Sequence, residues 1–237
     1  MSRRRRGWPL KLVALLLVAG PSLAAFWLGL VPPRFSPLAP LQLDEPAHWF
    51  LDFRLAAIKR DETLCRAALA SPVVAARPIG DKEIVDGCGW RNAVAVSRAG
   101  GARLAAAQVT CEMAAALALW LEHDVQPLAE RLLGTRVASV DSMGTYACRN
   151  IIGSRALTAF RSQHATANAI DISGFRLADG QSIVIARDWR SVTRKSEFLR
   201  AIHAKACGYF RVALSPDYNE AHRDHFHLDR SIMWRCR

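Results

Sequence analysis

Several things are missing from this 237-residue chain, and each absence narrows what it does. No two of its six cysteines stand in CxxC spacing, which argues against a zinc-thiolate knuckle. No basic run is interleaved with aromatics, so the composition offers no nucleic-acid groove. No segment repeats, and residues 1–40 contain no acid at all. That last absence explains most of the +11 net charge, because six Lys or Arg fall in the same stretch and leave an excess of five for everything after it. A modest positive field of this kind suits ordinary solubility, an acidic polymer or an anionic surface.

What the N-terminus does contain is a basic cluster, Arg3 to Arg6 with Lys11, followed by twenty uncharged residues from Leu12 to Val31. At about 1.5 Å per helical residue these span roughly 30 Å, the hydrocarbon thickness of a bilayer. Two readings fit residues 1–31: a signal peptide cut near Ala25 after the small residues Ser22 and Ala24, or an uncleaved anchor. The apolar FWLGLV beyond the possible cut favours the anchor. In either case the arginines are expected to stay in the cytoplasm. The remainder, after a Pro-rich linker over residues 32–43, is then exported to the periplasm. All six cysteines lie in that exported part, which predicts up to three disulfides with pairing left open.

Residues 44–237 read as one domain, helical in its first half and strand-rich from about residue 136. The run 44–70 has helical spacing, with Trp49, Phe53, Ala56 and Ala57 on one side. Residues 72–101 read as short strands or extended chain. The stretch 109–133 is the clearest helix, repeating Met113, Leu117, Trp120 and Leu121, with Pro127 as a kink and Gly134 as a stop. Then come strand patterns in TRVASVDSM, NAIDISGF, QSIVIA and HFHLD, a hairpin signal in LADGQ, and a helix pattern in SEFLRAIHAKACGYF. The expected fold is α+β: a small, mainly antiparallel sheet with helices packed against it.

The chemistry concentrates in two places. HRDHFHLD, residues 222–229, packs three of the seven histidines into eight positions. Strand alternation puts His225 and His227 on one face and Phe226 and Leu228 on the other. Two histidines on one strand face suit a metal or an acid–base site, and a zinc site needs further ligands. They are available in SQHATANAIDISGF, where His164 precedes Asp171 by seven positions. Asp171 lies in an alternating strand flanked by Ile170 and Ile172, where a carboxylate needs a metal or cation as partner.

SxH followed by AxD and then HxH resembles the zinc peptidases that include D-Ala-D-Ala dipeptidases, D,D-carboxypeptidases and penicillin-insensitive murein endopeptidase. More closely, YACRN, SQHATANAIDISGF and PDYNEAHRDHFHLD resemble the bacterial extensin-like C-terminal domain, over roughly residues 60–237. The resemblance implies a Zn2+ held by His164, Asp171 and His227, with the fourth position open to water. His225 is then a neighbour of the metal or a transition-state group. The dipeptidase branch has a Glu as base where this chain has His222, and the murein endopeptidase branch has His. A histidine of unperturbed pKa about 6.5 can take a proton and pass it on. Glu220 and Asp224 are alternative bases, and Asp224 can instead orient a histidine. Arg149 stands where the superfamily places a substrate-binding Arg. Tyr146, Ser162, Asn168, Tyr218 and Asn219 are expected around the cleft, and Ala167 replaces the usual Gly after SxHxx. The implied substrate is a peptidoglycan peptide containing D-amino acids. The competing readings are a non-catalytic wall-binding or scaffold module with a structural zinc, and a disulfide-stabilised domain without metal.

Overall fold

The structure is a computed structural model that describes residues 8–37, 39–46, 49–154 and 156–237; the Arg3–Arg6 cluster lies outside these residues. Helix α1 (Trp8–Trp27) is apolar and long enough to cross a membrane, and none of its apolar stretch is buried in the rest of the chain. A signal sequence meets the same criteria of length and composition. The Pro-rich linker is no free tether. Leu41 and Leu43 enter the core, and the guanidinium of buried Arg54 donates to the carbonyls of Pro33 and Ser36.

Two helices replace the single run expected at 44–70: α2 (Leu51–Arg60) and α3 (Glu62–Leu69). Asp61 breaks them by capping α3, its carboxylate accepting from the Thr63 and Leu64 amides. The buried face also differs from the expected one. Leu51, Arg54, Leu55 and Ile58 point inward, while Trp49 and Phe53 are exposed. Spacing alone offers two apolar stripes here, and the linker carbonyls that satisfy Arg54 select the inner one.

The sheet corrects the expectation of a small, mainly antiparallel one. Its strands are β1 (Val74–Pro78), β4 (Ala93–Ala99), β5 (Ala102–Thr110), β6 (Val137–Gly144), β7 (Ala169–Leu177), β8 (Ser182–Val184), β9 (Val212–Leu214), β10 (Phe226–Asp229) and β11 (Arg235–Cys236). They form one nine-stranded sheet ordered β1-β4-β5-β6-β7-β10-β9-β11, with β8 also on β7; β2 (Lys82–Val85) and β3 (Cys88–Trp90) make a separate hairpin. Two junctions, β5–β6 and β9–β11, are parallel. The sheet is larger than expected because β1, β4 and β5 join it, and β5 is written as ARLAAAQVT, an alanine-rich segment with little strand signature.

A parallel β5–β6 pair needs a crossover, and α4 (Cys111–Trp120) with α5 (Gln126–Leu133) supplies it. Between them Leu121–Val125 is a π-helical turn just ahead of Pro127, whose missing N–H and ring disfavour regular helical bonding. Gly134 ends α5 in the left-handed conformation, φ 73°. Every residue of α4 is buried, so it is a core helix on all sides rather than the one-faced helix its spacing suggested. Trp120 meets Phe175 and Phe210 edge-on and donates its indole N–H to Ile202 O. Helix α7 (Arg194–Ala206), capped by Thr193, packs on α5, and the short α6 (Ile185–Asp188) follows β8. Asp179-Gly180 turns β7 into β8 as the LADGQ signal predicts.

All six cysteines pair, as Cys65–Cys111, Cys88–Cys148 and Cys207–Cys236. The first ties α3 to the start of α4. The second ties the β2–β3 hairpin to the segment that carries Arg149, and the third ties the end of α7 to β11.

Candidate metal centre

The centre sits where β7 and β10 run side by side. Their antiparallel register sets His227 directly opposite Asp171. His227 Nδ1 lies 2.8 Å from Asp171 Oδ1. His164 arrives from the turn Gln163–Thr166, which Ser162 caps by accepting the His164 amide. Its Nε2 stands 3.1 Å from Asp171 Oδ2 and 3.2 Å from His227 Nδ1. The three donor atoms fall within 4.8 Å of one another, and all three residues are buried or nearly so. Two imidazole nitrogens and a carboxylate oxygen are a donor set that Zn2+ takes, so the residues present fit that ion.

Ala167, in the place of the expected glycine, adopts a left-handed conformation (φ 52°) and ends the His164 turn. The left-handed end of the turn is therefore made with a Cβ present, at a local cost of about 1–2 kcal/mol.

Asp229 is the residue that motif reading passed over. Two positions beyond His227 on the same strand face, it accepts from His227 Nε2 at 3.0 Å and from the Ser231 amide at 2.8 Å. With the Nε2 proton held by Asp229, Nδ1 is the nitrogen turned toward Asp171 and the one a metal would take, the arrangement of a carboxylate behind a ligating histidine. The i, i+2 spacing of HLD was the available signal.

The electrostatics follow from burial and these pairings. Burial opposes ionisation of Asp171, but hydrogen bonds from His164 and His227 outweigh it and hold the carboxyl far below the usual range. Burial likewise opposes charge on His227, and Asp171 with Asp229 overcome it to push the imidazole up to about 9. The site is thus built to stabilise one positive charge at its centre. His222 goes the other way: burial, with His227 and His225 beside it, pushes it down to about 4.

The other predicted residues gather around this core. His225 sits just before β10, its Nδ1 2.8 Å from Asp224 Oδ1 and its Nε2 3.6 Å from Asp171 Oδ1. The His222 ring lies 5.2 Å from that of His225 and 5.7 Å from that of His227. Arg149 reaches to 3.9 Å from Asp171 Oδ2. Glu220 is exposed at the cavity lining and paired with Arg223.

A cavity of about 390 Å³ opens over these groups, and Ile151, Ile152, Leu157 and Met233 give it apolar lining. Ser162 and Tyr218 line it too, while Tyr146, Asn168 and Asn219 stand outside the lining. Tyr146 packs edge-on against Trp90 at 4.9 Å. Buried Asn168 joins Thr110, Gln163 and Arg230 by side-chain hydrogen bonds, a structural latch. Asn219 accepts from His222 Nδ1 at 2.6 Å and donates its amide to Gly153 O at 3.0 Å. That close approach requires glycine: a Cβ at Gly153 would stand 2.8 Å from Asn219 Nδ2, and φ is +78°.

No curated protein and no solved structure matches the chain. The family described as Extensin-like protein C-terminus matches residues 63–237, from α3 through the His164, Asp171 and His227 cluster to the last residue. The chain therefore belongs to the family of extensin-like protein C-terminal domains.

Proposed function

We propose that this chain is a zinc-dependent peptidase that hydrolyses peptidoglycan peptides containing D-amino acids, working on the periplasmic side of the cytoplasmic membrane. The observation that carries this reading is the convergence of His164, Asp171 and His227 under an open cavity, with Asp229 fixing the tautomer of His227. His164 Nε2, an Asp171 oxygen and His227 Nδ1 would hold the ion. Zinc held there would supply a Lewis acid for the scissile amide and for water.

The remaining steps belong to the protein. Because the Asn219 amide N–H is committed to Gly153 O, its oxygen must be the acceptor toward His222. His222 consequently carries its proton on Nδ1 and presents an unprotonated Nε2. Burial and the neighbouring His227 and His225 keep it neutral at pH 7, and Nε2 is the atom that would take a proton from water and deliver it to the leaving amine. His225 turns Nε2 toward the same space while Asp224 holds its Nδ1, and Arg149 brings a fixed positive charge. Arg149 is positioned to stabilise negative charge developing on the carbonyl oxygen, and His225 joins it where Nε2 as well as Nδ1 carries a proton.

The test is His227→Ala in the full chain, with zinc content and release of fragments from purified sacculi both measured. Zinc retention and hydrolysis are expected to vanish together, with new free amines on D-amino acid residues reporting the wild-type cut. Full activity in the variant refutes the assignment. A second reading, a wall-binding module with a structural zinc, is favoured by one distance: His225 Nε2 is only 3.6 Å from Asp171 Oδ1, within reach of becoming a fourth ligand. X-ray absorption showing three histidines and no water at zinc selects that module, and two histidines with a water select the enzyme.

A further inference from the structure

Near the attachment of the N-terminal segment the domain exposes large apolar side chains that its own packing does not use. On the first turn of α2 and just before it, Trp49 is 92% and Phe53 57% exposed. On the turn after β10, Ile232 is 89% and Trp234 62% exposed. Arg211 makes these two groups neighbours. Its guanidinium holds Asp52 on α2, donates to Ser231 O, and lies 5.6 Å from the centre of the Trp234 ring. Arg230 adds a second tie to Asp52 at 2.7 Å. Two tryptophans, a phenylalanine and an isoleucine thus project around one rigid, salt-bridged junction.

The linker determines what lies opposite this patch. Helix α1 ends at Trp27, an indole at the boundary of the apolar segment and 88% exposed. Arg54, next in sequence to Phe53, already grips the carbonyls of Pro33 and Ser36. Five residues lie between Trp27 and Pro33, six chain steps that reach at most about 22 Å even when fully extended. If α1 spans a bilayer with Trp27 at the interface, chain length alone holds Pro33, and with it the patch beside Arg54, within reach of the headgroup region. Tryptophan rings, apolar in body and polar at the N–H, partition into that region.

We infer that the face formed by Trp49, Phe53, Ile232 and Trp234 rests on the outer surface of the membrane that holds α1, with α1 retained as an anchor. The contact would also orient the cavity. Met233 lines it while its neighbours Ile232 and Trp234 belong to the patch, so the cavity rim adjoins the headgroups. This inference does not depend on the peptidase reading, since it uses none of the metal-centre residues.

The test uses the full chain labelled with 5-fluorotryptophan in nanodiscs, with resonances assigned by single Trp→Phe substitutions and a gadolinium chelate on the lipid headgroups. Intact mass, measured on protein taken from the membrane fraction, establishes whether α1 is kept. The expected result is an uncleaved chain in which Trp49 and Trp234 relax about as strongly as Trp27 and several-fold more than the core residue Trp120. Cleavage near Ala25 overturns the inference. So does an uncleaved chain in which Trp49 and Trp234 relax no more than Trp120. As a second measurement, Trp49→Ser with Trp234→Ser in the full chain should raise amide exchange at the start of α2 in nanodiscs, and exchange equal to that of the wild type also overturns it.

Discussion

Replacing Asp229 with asparagine isolates the contribution of the carboxylate behind the metal centre. In the native site one oxygen accepts from His227 Nε2 at 3.0 Å and the other from the Ser231 amide at 2.8 Å, both in a buried setting. The amide of Asp229→Asn offers one acceptor to two donors. If its oxygen stays with Ser231, its NH2 faces His227 Nε2, and nothing accepts the Nε2 proton that His227 would have to keep while Nδ1 held a metal. Loss of such a partner typically weakens metal binding about 10- to 100-fold, or roughly 1.4–2.8 kcal/mol. If the amide flips instead, His227 keeps its tautomer, but two N–H groups face each other at Ser231. The penalty then appears as about 1–3 kcal/mol of lost folding stability with zinc affinity nearly intact. Competition against a chromophoric chelator measures affinity, and urea unfolding of the metal-free chain measures stability. A variant unchanged in both refutes the role given to Asp229.

Three further outcomes follow from the same structure. Gly153→Ala places a Cβ 2.8 Å from Asn219 Nδ2 at a left-handed φ, so it should cost about 1–2 kcal/mol of stability. Because the displaced group orients His222, turnover on sacculi should fall while zinc content stays constant. Cys65→Ser with Cys111→Ser opens a loop of sequence separation 46, worth about 4 kcal/mol by chain entropy, and calorimetry should show melting lowered by about 8–16 °C. Asp52 loses hydration in the fold, but its bonds to Arg211 and Arg230 outweigh this and hold its pKa below the ordinary carboxylate value. Its stabilisation is therefore complete above the unfolded pKa and disappears as pH falls through the folded one. Urea unfolding between pH 5 and about pH 2 should show a shallower acid loss in Asp52→Asn than in the wild type.

Much of this molecule is written locally. An uncharged run as long as a bilayer is thick, a capped helix ending at Gly134, the Asp-Gly hairpin after β7 and the three histidine- and aspartate-bearing motifs all depend on neighbours a few residues apart. Local chemistry encodes them, so a linear reading finds them. Even the β10 alternation that sends Phe226 and Leu228 to one face and His227 to the other is a property of any strand with that sequence.

Tertiary structure decided what depends on partners far along the chain. The alanine-rich β5 is a strand because β4 and β6 offer it ladder hydrogen bonds, and that enlarged the sheet. The buried side of α2 was chosen by linker carbonyls waiting for Arg54. Cysteine pairing, the opposition of Asp171 to His227, and the relay from Gly153 through Asn219 to His222 each join residues separated by dozens of positions. Spacing along a chain carries no information about such distances, because they are set by how helices and strands pack together. Sequence by itself determined which groups could do chemistry here; only the packed sheet decided which of them meet.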